Sequence, residues 1–267
     1  MLFDLKGKRK NLVKVTYLFL AILFGGGLVL FGVGSNNVQG GLLDAITGNG
    51  GGGTNTSAFE NQVAKAQRAT RVTPKDDRAW LGLARAEYNL AVSGDNFDRT
   101  TGQFKQGAVK DLQNAAAAWE RYLQLDPRRP DSGTATLMVQ AYSNLIRFEP
   151  GSSALDRFEQ AAKTQRIIAL SRPSPIAYYQ LAAIYYAIGR IAPGDRASTK
   201  AIKLTPKDQR NTVSAQLEDA RKGGLKTKKA LKKENAQAAK AAKDARKAGK
   251  DPFGAQPGQT QPAPSGP

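Results

Sequence analysis

The side chains that carry most covalent and acid-base chemistry in proteins are missing from this chain, which has no Cys and no His. Their absence removes disulfides, thiol nucleophiles, thiolate metal sites and every mechanism built on an imidazole base. Among the oxygen donors, Asp95, Asn96 and Asp98 come nearest to a ligand cluster. Their spacing lacks the alternating acids, central Gly and terminal Glu of a calcium loop, so they read as a solvated turn. No two carboxylates are spaced to set an acid and a base on one face, and Asp126 before Pro127 is the usual residue of a turn. A phosphate loop also fails. The glycines at 40, 41, 48 and 50–53 are followed by no Gly-Lys-Ser or Gly-Lys-Thr and are preceded by no strand. The expectation is a non-enzymatic chain with no catalytic residue, no metal site and no cofactor.

Binding is then the chemistry left to explain, and charge is its first guide. The net charge of +18 divides into +4 over residues 1–34, +5 over 35–220 and +9 over 221–267. A surface of single sign is therefore expected at the ends of the chain. Residues 221–250 hold twelve Lys or Arg against Glu234 and Asp244, with Ala at most other places from Ala236 onward. Without an apolar stripe this reads as a disordered or partly helical basic tail, suited to an anionic envelope polymer or to lipid headgroups. Nucleic acid fits it least, because no aromatic is interleaved to stack a base. Residues 251–267, rich in Pro, Gln and Gly, read as disordered.

Residues 15–34 are free of charge, long enough as a helix to cross a hydrocarbon core of roughly 30 Å. A transmembrane helix is expected there. A cleaved signal peptide is the alternative, with Gly32, Gly34 and Ser35 as small residues for a peptidase, although its apolar region should be shorter. Lys6, Lys8, Arg9, Lys10 and Lys14 precede the span and no basic residue falls in 35–63. That asymmetry keeps the N-terminus (1–14) in the cytoplasm and places everything after the span outside it. Ala21 and Gly25 form a small-xxx-small pair that is either a helix contact or merely tolerated. The basic start and single span are also similar in pattern to the beginnings of some membrane-anchored periplasmic folding factors. Residues 35–57 are a Gly-rich linker, too flexible to offset the backbone entropy of folding.

From 58 to 220 the pattern is helical throughout, with Pro74, Pro127, Pro173 and Pro206 closing successive units at intervals of 53, 46 and 33 residues. The third unit is clearest: Tyr178, Leu181, Ala182 and Tyr185, then Ala201, Leu204 and Pro206. This resembles the tetratricopeptide repeat (TPR), a helix-turn-helix of about 34 residues. The first unit fits with Trp80, Leu83, Ala84 and Glu87, followed by Ala115, Trp119, Tyr122, Leu125 and Pro127. The second fits with Ala135, Met138, Val139 and Tyr142, followed by Ala161, Ile168 and Pro173, and a half unit runs over 59–74. Glu87, Ile168 and Ser198 depart from the pattern, and insertions at 94–104 and 147–153 are expected to lengthen two turns. The last helix, 207–221, carries Val213 and Leu217 on one face as a solenoid's cap should.

The resemblance implies an all-α, TPR-like solenoid behind a single N-terminal transmembrane helix, in a bacterial-type single-pass membrane protein. It implies an extracytoplasmic scaffold or chaperone-like adaptor that binds protein or peptide partners in a concave groove lined by the first helix of each pair. The residues it selects are Arg78, Leu81, Arg85, Tyr88 and Asn89, then Gln140 and Asn144, then Tyr179 and Tyr186. They combine aromatic area with donors for peptide carbonyls or a carboxylate. The dicarboxylate clamp of chaperone-docking repeats is not reproduced, because only the first unit supplies its basic and Asn positions. A merely solvated inner face and, at the functional level, a structural envelope linker bound through the basic tail are the alternatives.

Overall fold

A computed structural model describes residues 56–98, 101, 103–149 and 152–247. The basic start (1–14), the expected span (15–34), all but the last two residues of the linker and the Pro-rich end lie outside them. Among the described residues no helix is long and apolar enough to cross a membrane.

The described chain is all-α apart from one two-residue hairpin. Its helices are α1 (Thr56–Val72), α2 (Asp77–Val92), α3 (Val109–Gln124), α4 (Ser132–Phe148), α5 (Ser152–Ser171), α6 (Pro175–Ala187), α7 (Ile191–Leu204) and α8 (Arg210–Lys247). Local chemistry explains where three of them begin. The carboxylate of Asp76 accepts from the Arg78 amide, that of Asp131 from the Thr134 amide, and the Ser174 hydroxyl oxygen from the Ala177 amide, each satisfying a donor that the first turn leaves without a partner. Pro175 follows Ser174 at the first turn, where its missing N–H costs nothing.

These caps set a common register. Counting four, seven, eight and eleven residues from Asp76, Asp131 and Ser174 gives Trp80/Ala135/Tyr178, Leu83/Met138/Leu181, Ala84/Val139/Ala182 and Glu87/Tyr142/Tyr185. The cap-to-cap distances are 55 and 43 residues, so the units are longer than the nominal repeat. The helices pack as hairpins, α2 with α3, α4 with α5 and α6 with α7, and each hairpin lies against the next through α3–α4 and α5–α6. α1 covers α2 at the start, α8 covers α6 and α7 at the end, and α2 also touches α4.

Small residues let the helices approach: Ala84, Ala115, Ala182 and Ala201 are wholly buried. Large ones fill the space between. Trp119 is buried with its indole N–H donating to Thr164 Oγ1 at 3.0 Å, and the Tyr122 hydroxyl accepts the Asp131 amide at 3.0 Å, fastening α3 to the start of α4. Gln165, buried, donates to the Ala177 carbonyl at 3.0 Å and so ties α5 to α6. Of the remaining repeat-pattern positions, Trp80, Pro127 and Tyr185 are half-buried, whereas Leu204 and Pro206 are exposed and close no core.

Three regions differ from the sequence expectation. Residues 94–104 form more than a solvated turn. Phe97–Asp98 pairs antiparallel with Gln103–Phe104, and Phe97 and Phe104 enter the core, where Phe104 meets the Tyr88 ring edge-on at 5.8 Å between centroids. Arg147 holds this hairpin by donating to Gln103 Oε1 at 2.9 Å and to the Phe104 carbonyl. The second expected long turn is short, because α4 runs to Phe148 and α5 begins at Ser152. At the end, the helix expected to close at 221 continues through the basic stretch, for which a partly helical form is one of the expectations, to Lys247. Gly224 lets α8 cross α6 closely, since a Cβ there would stand 2.7 Å from the Tyr186 carbonyl oxygen.

Candidate functional site

The stack of hairpins has an open cleft at its first end. α1 contributes Gln62, Lys65, Ala66 and Ala69, and α2 contributes Arg78, Ala79, Gly82, Arg85, Ala86 and Asn89, around a volume of about 370 Å³. Helical periodicity explains the set, since positions three, four and seven apart share a face. Its floor is Ala and Gly, and a Cβ built on Gly82 would meet nothing within 4 Å. Its rim is cationic and amide-bearing. Among the described residues Lys65 and the Arg78 side chain have no hydrogen-bond or ion-pair partner.

The register shows why this face is open. Ala79 and Arg85 stand three and nine residues after Asp76, as Thr134 and Gln140 stand after Asp131. Thr134 and Gln140 are the α4 side chains on which α2 leans. Arg85 donates through Nε to Thr134 Oγ1 at 2.6 Å, and the Tyr88 hydroxyl donates to Gln140 Oε1 at 2.6 Å. The face that receives α2 on α4 corresponds on α2 to the side facing α1, where the cleft remains between the two helices.

Arg85 also pairs with Asp131 at 3.0 Å. Burial pushes the Asp131 carboxyl up, but the Thr134 amide and hydroxyl and the Arg85 guanidinium together hold it below the ordinary carboxylate value. Arg85 is therefore a half-exposed bridge between α2 and α4 with one side turned to the cleft.

Of the nine groove residues expected from the sequence, Arg78, Arg85 and Asn89 are brought together here. Leu81 is half-buried against the core. Tyr88 is buried, its hydroxyl spent on Gln140 and its pKa raised by burial. Gln140 is exposed as the acceptor of that bond, and half-buried Asn144 donates to the Gln140 carbonyl at 2.9 Å. Tyr179 and Tyr186 lie in the core with α7 and α8, at 4 % and 2 % exposure, so neither offers a ring to a partner. The Tyr186 hydroxyl donates to Asp195 at 2.9 Å, and Asp195 takes Arg221 of α8 at 2.8 Å. Gln62 and Lys65 were absent from the sequence-based set. Their signal was the half unit at 59–74, whose single helix has to line whatever α2 leaves open.

No family model matches the chain, and no curated protein matches it significantly in sequence. Among the described residues no three carboxylates cluster as a metal site. Asp95 lies in a short 3-10 turn, and Asp98 is in the hairpin with an oxygen that accepts the Thr101 amide at 3.2 Å.

Proposed function

We propose that this chain is a TPR-like adaptor, anchored by residues 15–34 with its helical domain on the extracytoplasmic side, that captures an acidic peptide segment of a partner protein in the α1/α2 cleft. The observation that carries this reading is the cleft's composition: two cations, Lys65 and Arg78, that have no side-chain partner among the described residues, around a floor of small residues. A narrow floor lets a peptide backbone come close, Gln62 and Asn89 supply amides for its carbonyls, and the two cations take its carboxylates as charge-assisted hydrogen bonds. The stacked hairpins and their shared register support the repeat assignment. Of the expected groove, Arg78, Arg85 and Asn89 thus stay in the proposal, while its three tyrosines, Leu81, Gln140 and Asn144 do not line the cleft.

Charge reversal at Lys65 and Arg78 in the full chain tests the cleft. Lys65→Glu with Arg78→Glu should weaken capture of co-purifying partners by about 2 kcal/mol or more without shifting the melting temperature. Unchanged affinity would exclude the cleft. The pair Arg85 and Tyr88 is a poorer probe, because both residues hold α2 to α4. Orientation is checked separately. A reporter fused after Pro267 should be active only outside the cytoplasm, and cytoplasmic activity would overturn the proposed topology.

The exposed Lys side chains of α8, among them Lys228, Lys229, Lys232, Lys233 and Lys240, favour a second reading. In it the helix end binds an anionic wall polymer or lipid headgroups and the domain acts as a structural envelope linker.

A further inference from the structure

A second cleft, of about 460 Å³, opens where α5, α6 and α7 meet, and the sequence reading did not single it out. Its walls carry Arg166 from α5 and Arg196 and Lys200 from α7, with Arg190 at the turn between α6 and α7. No acid lines it. Arg190 is matched by Glu159 at 2.8 Å, and Lys200 sits over the Tyr178 ring at 5.2 Å. Among the described residues Arg166 and Arg196 have no hydrogen-bond or ion-pair partner, and both are exposed. Leu170 stands at the edge with 55 % of its surface exposed.

The corresponding positions earlier in the stack show what is unusual. In the first unit the residue eleven after the cap is Glu87, an acid held by Gln67 and Asn114. In the second it is Tyr142, whose hydroxyl donates to Glu120 at 3.1 Å, and Arg157 near it is matched by Glu149 at 2.9 Å. In the third it is Tyr185, with Arg166, Arg190, Arg196 and Lys200 around it and, among the described residues, no acid on the cleft wall. In the second unit the charges near this position are paired, whereas in the third Arg166 and Arg196 have no hydrogen-bond or ion-pair partner among the described residues.

We infer that this cleft is a further binding site, separate from the α1/α2 cleft, for an extended acidic segment of a partner protein. Arg166 and Arg196 receive its carboxylates from opposite walls, and an apolar side chain of the segment covers Leu170. Planar guanidinium forks bind carboxylates in pairs of hydrogen bonds. A nucleic acid is disfavoured because the Tyr178 ring is buried and covered by Lys200, which leaves no free aromatic face for a base. A bilayer surface is disfavoured because the cations line a recess between two helices rather than a flat face.

The test uses the full chain and a short Asp/Glu-rich peptide containing Leu and a central photo-crosslinking group, with its Asn/Gln counterpart as control. At near-physiological salt, where the Debye length is roughly 8 Å, cross-links should map to α5 and α7. Arg166→Glu with Arg196→Glu should reduce cross-linking there about tenfold or more, and the milder Arg166→Gln with Arg196→Gln should reduce it less. Lys65→Glu with Arg78→Glu should leave it unchanged, so failure of the first cleft and failure of this one are read independently. The inference is overturned if cross-links fall only in α8, if the Asn/Gln peptide labels the cleft equally, or if anionic vesicles label α5 and α7 in place of the peptide.

Discussion

Glu87 is the residue at which the fold and its chemistry pull apart. It is 2 % exposed and, among the described residues, its hydrogen bonds come from the Gln67 amide at 3.2 Å and the Asn114 amide at 3.4 Å, with Lys110 as a weaker charge that opposes the cost of burial. Burial raises its pKa above the ordinary carboxylate value, with the two amides opposing and Asp111 adding to the rise. The folded state therefore binds this proton more tightly than the unfolded chain does. Its contribution to stability is full below the unfolded pKa of 4.5 and is lost as pH rises through the folded value. Glu87→Gln should stabilise the domain at pH 7 by on the order of 1 kcal/mol and so raise the melting temperature by roughly 2–4 °C, because either neighbouring amide can flip to meet the new NH2 group. The gain should shrink toward pH 4. Equal gains at both pH values would mean that the carboxylate is not the source of the cost. The sequence marked Glu87 as off-pattern, and that departure proved to be a buried polar site. The tyrosines were harder to read. The choice of Tyr179 and Tyr186 as groove residues assumed that α6 shows one face to a partner, but α5, α7 and α8 cover it on several sides, and a helix apolar all round carries no sequence mark of its open face.

At the scale of elements, what was legible followed from the apolar pattern: Leu83, Ala84, Leu181 and Ala182 are core. The caps Asp76, Asp131 and Ser174 emerge from the structure. What was not legible rests on small residues. α8 had been expected to end its packing near Arg221, where its apolar face stops, yet Thr227 is buried and the helix crosses the end of α6 through Gly224 and Gly189. Glycine adds nothing to an apolar pattern, so a close crossing built on it is silent in the sequence. Gly189 has φ +72°, and a Cβ there would stand 2.9 Å from the backbone of Lys228. Gly189→Ala meets both objections, a left-handed backbone and a collision with α8, and should destabilise the domain by about 2–3 kcal/mol. Amide exchange should quicken in α8 from Ala220 to Leu231. If exchange there is unchanged, the crossing does not hold α8 in place. The insertion at 94–104 shows the same limit from the other side: Asp95, Asn96 and Asp98 pointed to a solvated turn, while Phe97 and Phe104, which the expectation left unread, pair across a hairpin and enter the core.

For the whole molecule, the question is where the folded domain stops and the basic extension begins, because composition and packing answer differently. By composition the change falls at 221, where twelve cations begin. By packing it falls later. Arg221 pairs with Asp195, Gly224 meets Tyr186 and Thr227 is buried, while the side chains at Lys232 and Lys233 are exposed. Two truncations separate these boundaries. A chain ending after Leu231 keeps the crossing and should melt as the full chain does. A chain ending after Ala220 strips Arg221 from Asp195 and uncovers the Tyr186 end of α6, and should melt lower by about 2–4 °C for each kcal/mol lost in a domain of this size. The same pair reads the extension's function. If the exposed Lys side chains beyond Leu231 bind an anionic wall polymer by charge, the longer truncation product should lose that binding while remaining as stable as the parent. In the parent the binding should fall steeply as salt rises past the point where the Debye length is roughly 10 Å. Binding that survives loss of 232–267 would place the anionic contact on what remains, Lys228 and Lys229 of α8 or Arg166 and Arg196, which have no partner among the described residues. Equal melting of both truncation products would mean that residues 221–231 add nothing to the fold, and the boundary would return to where composition put it.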